Sequence, residues 1–303
     1  MRRFENEGEQ ITMKVVVHAG VAHSDDGRLL DLLKANTQVL GQWNVAYRGF
    51  STYKNYFRTA LDSFENRQSI QRAREEFLKQ IPNYGNFDRL ILSTPRFIGE
   101  IETAIMDGQF YPLAGQRIAC LVEIFEGFEV ELFIGLRNPG SFIPRALMSQ
   151  PESQRQRILR QTDLSCLSWL AMIDNIRDLA PNVNFTVWSN EDTPLVWGDI
   201  ARAMAGLPEN AVLSEEYSLL SSLVSGTGKQ EIQNLMQKKS APCDPSLRSE
   251  LSRIFDEYAM PDAIEEELDL EGWSDEIVSA FTELYEQDLA MLEAMPDIKF
   301  LRP

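Results

Sequence analysis

The segment Lys14-Val-Val-Val-His-Ala-Gly20 constrains the fold more than any other stretch of this chain. Three β-branched residues run together with no polar alternation. Such a run reads as a strand buried on both faces, and strands of that kind belong to parallel sheets covered by helices. Val21 to Asp26 is a loop of small and polar residues. Gly27 to Asn36 then sets Leu29, Leu30, Leu32 and Leu33 at helical spacing. Strand, loop and helix in that order open an α/β fold.

The rest of the chain keeps the alternation. Further strands are expected at Arg89–Ser93, 128–136 and 184–188. Apolar periodicity predicts helices over 53–64, 69–81 (ended by Pro82), 115–125, 142–149, 152–160 and 165–179. More follow over 195–205, 215–224, 230–237, 247–258 and 275–295. Turn residues fill 83–86, and the stretches 225–228 and 240–245 read as loops. The expected fold is a three-layer α/β domain over 13–303. Its mainly parallel sheet is flanked by helices, and its C-terminal part is helical from about residue 245. Residues 1–12 read as a flexible extension, with Met13 as an alternative start.

Charge limits the partners. The 303 residues carry 46 acidic and 29 basic side chains, a net charge of −17. Between Glu250 and Asp297 sixteen carboxylates face one base, Arg253, so the remainder is close to neutral and has room for a positive pocket. Duplex nucleic acid and anionic membrane surfaces, which demand clustered cations, are not expected partners. Cys120, Cys166 and Cys243 show no metal-ligand spacing and suit a reducing compartment. No apolar run reaches a membrane span, and the first residues have no apolar core of a secretory signal. The expected location is the cytoplasm.

Three groups of residues lie where an α/β sheet places ligands, at the carboxyl ends of strands. The first is His18-Ala-Gly20-Val-Ala-His23-Ser24-Asp25-Asp26-Gly27, which holds both histidines and ends at a helix N-terminus, where free amides favour an anion. Two readings stay open: a ligand loop, or a structural turn in which Asp25 or Asp26 caps the helix. The second is Leu136-Arg137-Asn138-Pro139-Gly140-Ser141, with Arg145 following. Pro139 and Gly140 suggest a turn. Arg137, Ser141 and Arg145 together suit a phosphate or sulfate, or Arg137 pairs with a core carboxylate such as Glu191. The third is Ser189-Asn-Glu191-Asp192-Thr193-Pro194, where Glu191 is a candidate base and Asp192 or Thr193 a candidate helix cap. The two histidines lack helical spacing and no Gly-x-Ser-x-Gly elbow occurs, so neither a metal centre nor a serine triad is expected.

In this order the three groups resemble the bacterial sulfotransferase-like P-loop proteins. The family's loop, His-x-Gly-x-x-Lys-x-Gly-Thr-Thr-x-Leu, is matched in frame by His18 to Leu29, and Leu136-Arg137-Asn138-Pro139 matches its Leu-Arg-(Asn/Asp)-Pro motif. Glu191-Asp192 before a helix ending Gly206-Leu207 matches the third motif, and Gly272-Trp273 through Leu284-Tyr285 and Asp288 resembles the family's helical end. The resemblance implies sulfuryl transfer from 3′-phosphoadenosine 5′-phosphosulfate to an acceptor, a small molecule or glycan, that the sequence does not name. It would place the phosphosulfate against Gly20, His23, Ser24, Asp25, Asp26, Gly27 and Arg28. Arg137, with Ser141 and Arg145, would hold the 3′-phosphate. His23 would serve as leaving-group acid and Glu191 as base.

This chain has His23 where the family has lysine, and Asp25-Asp26-Gly27 where it has Gly-Thr-Thr. Two other functions therefore stand beside transfer. One is a catalytically inactive binding or interaction protein on the same fold. The other is a metal-dependent phosphotransferase or hydrolase that uses Asp25, Asp26 and Glu191 as ligands.

Overall fold

The computed structural model describes residues 13–62, 67–79, 87–238, 242, 244–264 and 270–303. The extension over 1–12, the stop at Pro82, the turn over 83–86 and Cys243 lie outside the described residues.

The strands are β1 (Lys14–Gly20), β2 (Val45–Gly49), β3 (Arg89–Ser93), β4 (Ile105–Met106), β5 (Gln109–Phe110), β6 (Glu129–Leu136), β7 (Asn184–Ser189) and β8 (Ile298–Leu301). A six-stranded parallel sheet takes the order β2-β3-β1-β6-β7-β8, and β4 pairs with β5 in a separate antiparallel hairpin. The run Lys14–Gly20 is an interior strand of the sheet: Val15 stands level with Leu90 on one side and Val130 on the other. From Val15 to Gly20 β1 is buried throughout, as its unbroken apolar pattern required.

Two apolar layers sandwich the sheet. Val15, Val17 and Ala19 face the larger one, which is built by the helices Phe50–Asp62, Arg67–Lys79, Ala114–Ile124, Pro139–Met148, Trp169–Leu179 and Asp275–Glu293. Val16, Ile91, Phe133 and Trp188 face the other, under the helices Arg28–Ala35 and Thr193–Ala205. A third apolar cluster, around Leu220, Ile232, Leu247 and Ile254, joins the helices Ser218–Leu223, Gly226–Lys238 and Pro245–Tyr258. Among the described residues no helix is long and apolar enough to cross a membrane.

The structure adds β2 and β8, the two edge strands. β2 is mostly half-buried and β8 is short, so neither carries the continuous apolar run that marks an interior strand. The loop expected at 225–228 is instead the first turn of the helix Gly226–Lys238. Ser225 Oγ accepts from the Gly228 amide at 3.4 Å, and a Cβ on Gly228 would stand 2.7 Å from Tyr258 Cβ. Close packing, not turn formation, calls for that glycine. The helix expected over 165–179 is broken into a short 3-10 turn, Leu164–Cys166, and the helix Trp169–Leu179, which Ser168 caps through the Ala171 amide.

The chain leaves β1 for the helix Arg28–Ala35 on one face. It leaves β6 for the helix Pro139–Met148 on the opposite face. Neighbouring strands whose exits diverge in this way open a crevice at their carboxyl ends, the position at which doubly wound sheets bind ligands.

Candidate functional site at the ends of β1 and β6

The β1 exit is built from unusual backbone. Gly20 has φ +131°, and a Cβ there would stand 2.8 Å from the Pro95 carbonyl oxygen. His23 and Asp26 also adopt positive φ, 60° and 48°. The amides along this loop donate within the protein: Val21 to the Gly135 carbonyl (3.0 Å), Ala22 to Tyr111 Oη (3.2 Å), Ser24 to the Val21 carbonyl (3.2 Å) and Arg28 to the Asp25 carbonyl (2.9 Å). Gly27 stands at the N-cap with no side chain to offer, and Asp25 does the capping, its Oδ2 accepting from the Leu29 amide at 3.1 Å. Asp25 is buried, so the positive end of this helix holds a carboxylate of the chain itself.

His18 is fully buried. Its Nδ1 lies 3.1 Å from Ser93 Oγ and 4.0 Å from Asp25 Oδ2, and its ring stacks on Trp188 with centroids 6.2 Å apart. Burial pushes its pKa below the ordinary histidine value against the pull of Asp25, so the ring is held neutral near pH 7. Serine and carboxylate face the same ring nitrogen, which is not the relay of a nucleophilic triad. His23 is half-exposed. Burial and then the positive charges of Arg145 and Arg137 lower its pKa, while Asp26, 3.4 Å from its Nδ1, opposes them.

At the β6 exit, side chains from distant segments hold the backbone. Tyr285 Oη lies 2.7 Å from the Leu136 carbonyl oxygen. Trp169 Nε1 donates to the Arg137 carbonyl and Trp273 Nε1 to the Gly140 carbonyl, each at 2.8 Å. Asn138 caps the next helix, its Oδ1 accepting from the Gly140 amide (2.8 Å) and its Nδ2 donating to Thr282 Oγ1 (2.8 Å). Pro139 therefore begins the helix directly, at a position where its missing N–H costs nothing, and the expected turn at 139–140 is replaced. Arg137 is buried and donates from Nη1 to the His23 carbonyl at 2.9 Å, tying the two exits together. Ser141 Oγ bonds the Asn138 carbonyl (3.1 Å), and Arg145 lies one helical turn beyond.

At the β7 exit Glu191 accepts from the Asn138 amide (2.9 Å) and Ser189 Oγ (3.0 Å), and its Oε2 lies 2.9 Å from Tyr285 Oη. It braces the β6 exit rather than pairing with Arg137. Neither Asp192 nor Thr193 caps the helix that follows: Asp192 makes no capping bond, and Thr193 Oγ1 accepts from Trp188 Nε1 at 3.0 Å. Burial raises the Asp192 pKa against the pull of Arg302.

A cavity of about 560 Å³ opens where these exits meet. Of the residues expected from sequence, His23, Ser24, Arg137, Ser141 and Glu191 line it. Gly20 and Asp25 are buried behind the loop, while Asp26 and Arg28 point outward and Arg145 stands behind Ser141 on its helix. The anchors Trp169, Trp273 and Tyr285 were not expected here, although the last two belong to the aromatic-bearing tail picked out by the motifs. Among the described residues no group of three or more His, Cys, Asp or Glu is placed to hold a metal ion.

The loop as built does not fit a 5′-phosphosulfate. The amides of Val21, Ala22, Ser24, Arg28 and Leu29 already donate inside the protein, and the buried Asp25 carboxylate sits where the anion would. Two like charges about 4 Å apart repel by several kcal/mol in a partly buried setting. Comparison with protein-family models finds no match, and comparison with curated proteins finds none either.

Proposed function

We propose that this chain is a binding protein on a sulfotransferase-like frame, and that the cavity at the ends of β1 and β6 receives an anionic small molecule. One observation carries the reading: the buried Arg137 lines the cavity beside His23, at the crevice where the sheet's exits diverge, with Arg145 one helical turn beyond Ser141. Ser24 adds a buried hydroxyl to the same lining, with no hydrogen-bond partner among the described residues. Asp25 argues for binding without turnover, since it satisfies the helix N-terminus that a transferred group would need.

The second reading is sulfuryl transfer from 3′-phosphoadenosine 5′-phosphosulfate. The ordered motifs favour it, and it requires Asp25 to leave the helix N-terminus. Calorimetric titration separates the two. Binding predicts that inorganic sulfate binds, that Arg137→Gln weakens it at least tenfold, and that adenosine 3′,5′-bisphosphate shows no preference over sulfate. Micromolar affinity for the bisphosphate, about −8 kcal/mol, would favour transfer. An absence of heat with both anions would overturn the anion site altogether.

A further inference from the structure

The cavity has a lining of two kinds. Its polar part is His23, Ser24, Arg137, Ser141 and Glu191, with Asn138, Asn190 and Thr193 beside them. Its apolar part is Leu219, Leu223, Phe255, Ile264 and Val278, contributed by segments far apart in the chain. Leu219 and Leu223 stand four residues apart on one face of the helix Ser218–Leu223, whose other face sends Leu220 into the third apolar cluster. Among the described residues Ile264 is 43% exposed, and Leu219, Leu223 and Phe255 are half-buried.

We infer that the ligand is an amphiphilic anion: a sulfate, phosphate or carboxylate head at His23 and Arg137, with a hydrocarbon body laid along Leu219, Leu223, Phe255 and Ile264. The inference rests on the anion-binding reading above and adds the nature of the body. The apolar wall offers no side-chain donor or acceptor, so the polar edges of a nucleobase placed there would lose water without replacement. A hydrocarbon chain loses nothing and gains by burial. The volume, about 560 Å³, is that of a small-molecule site.

The test is a calorimetric titration series on the full chain with inorganic sulfate, butyl sulfate, hexyl sulfate and octyl sulfate, each below its micelle-forming concentration. Each added methylene is expected to tighten binding about fourfold, so octyl should exceed butyl by about two orders of magnitude at one ligand per chain. Leu223→Ser should flatten the series. Ile264→Gln, at an exposed position that leaves folding alone, should flatten it in part. Leu113→Gln, on an exposed apolar residue away from the cavity, should leave it unchanged. Arg137→Gln should weaken every member by the same factor. A flat series with sulfate still binding overturns the amphiphile and keeps the anion site. Adenosine 3′,5′-bisphosphate displacing octyl sulfate at lower concentration also overturns it. A series in which sulfate itself fails to bind removes the anion reading beneath it.

Discussion

The exits of β1 and β6 lie side by side and are made in opposite ways. The β1 exit turns on its own backbone, through left-handed residues at Gly20, His23 and Asp26, and is held mainly through its main chain: the Val21 and Ala22 amides reach Gly135 and Tyr111, while those of Ser24 and Arg28 bond carbonyls of the loop itself. The β6 exit has ordinary backbone, and its carbonyls are taken by Tyr285, Trp169 and Trp273, more than thirty residues away in each case. A loop held mainly through its main chain can change its side chains with little disturbance to the fold. An exit held from outside presents Arg137 on a fixed mount. The positions at which the chain differs from the sequence pattern it resembles, His23, Asp25 and Asp26, fall in the first kind of structure, and the motif matched in full falls in the second.

Breaking the mount should cost most. Trp169 is fully buried, stacks on Phe110 with centroids 4.1 Å apart and bonds the Arg137 carbonyl, so Trp169→Ala should destabilise by about 3–5 kcal/mol in urea unfolding. Tyr285→Phe keeps the ring and removes only the hydroxyl against Leu136 and Glu191; a loss of about 1–2 kcal/mol is expected. If that variant were neutral, the outside bracing would not be what fixes the β6 exit.

The β1 exit should instead show itself through pH. Both histidines have pKa values lowered on folding, so the unfolded chain binds more protons below pH 6.5. Stability is then full above pH 6.5 and falls as pH drops toward the folded values, by up to about 1.4 kcal/mol per pH unit for the buried His18. Urea midpoints between pH 7 and pH 5 measure the slope, and His18→Asn should reduce it. The smallest change in stability is expected from Asp25→Asn, under about 1 kcal/mol, because the amide oxygen still accepts from Leu29. Sulfate affinity should nevertheless rise, since the charge at the helix N-terminus is gone. Unchanged affinity would mean that Asp25 does not compete for the anion.

What the sequence made legible follows burial. β1, β3, β6 and β7 are covered on both faces and announce themselves as apolar runs, whereas β2 and β8 lie at the sheet edges and do not. Helical periodicity located most helices but could not tell the glycine pair at 226 and 228 from a loop, because tight packing on Tyr258 leaves no mark in local pattern. At the site, position at strand ends singled out His23, Ser24, Arg137, Ser141 and Glu191, and the structure places all five on one cavity. The partners of Glu191 and the apolar wall were not legible, since both arise from segments that meet only through the tertiary fold.

The sheet order also sets a timetable for the nascent chain. β1 pairs with no strand adjacent to it in sequence: His18 meets Ser93, 75 residues on, and Lys14 meets Glu129, 115 residues on. At a synthesis rate of about 5–20 residues per second, roughly 6–23 s separate the emergence of β1 from that of β6. For the first roughly 4–15 s of it, until β3 emerges, Val15, Val16 and Val17 have no lateral partner, and one edge of β1 stays open until β6 follows. Such a run is adhesive, so the interior strand that organises the finished protein is the segment most in need of chaperone protection while it is being made.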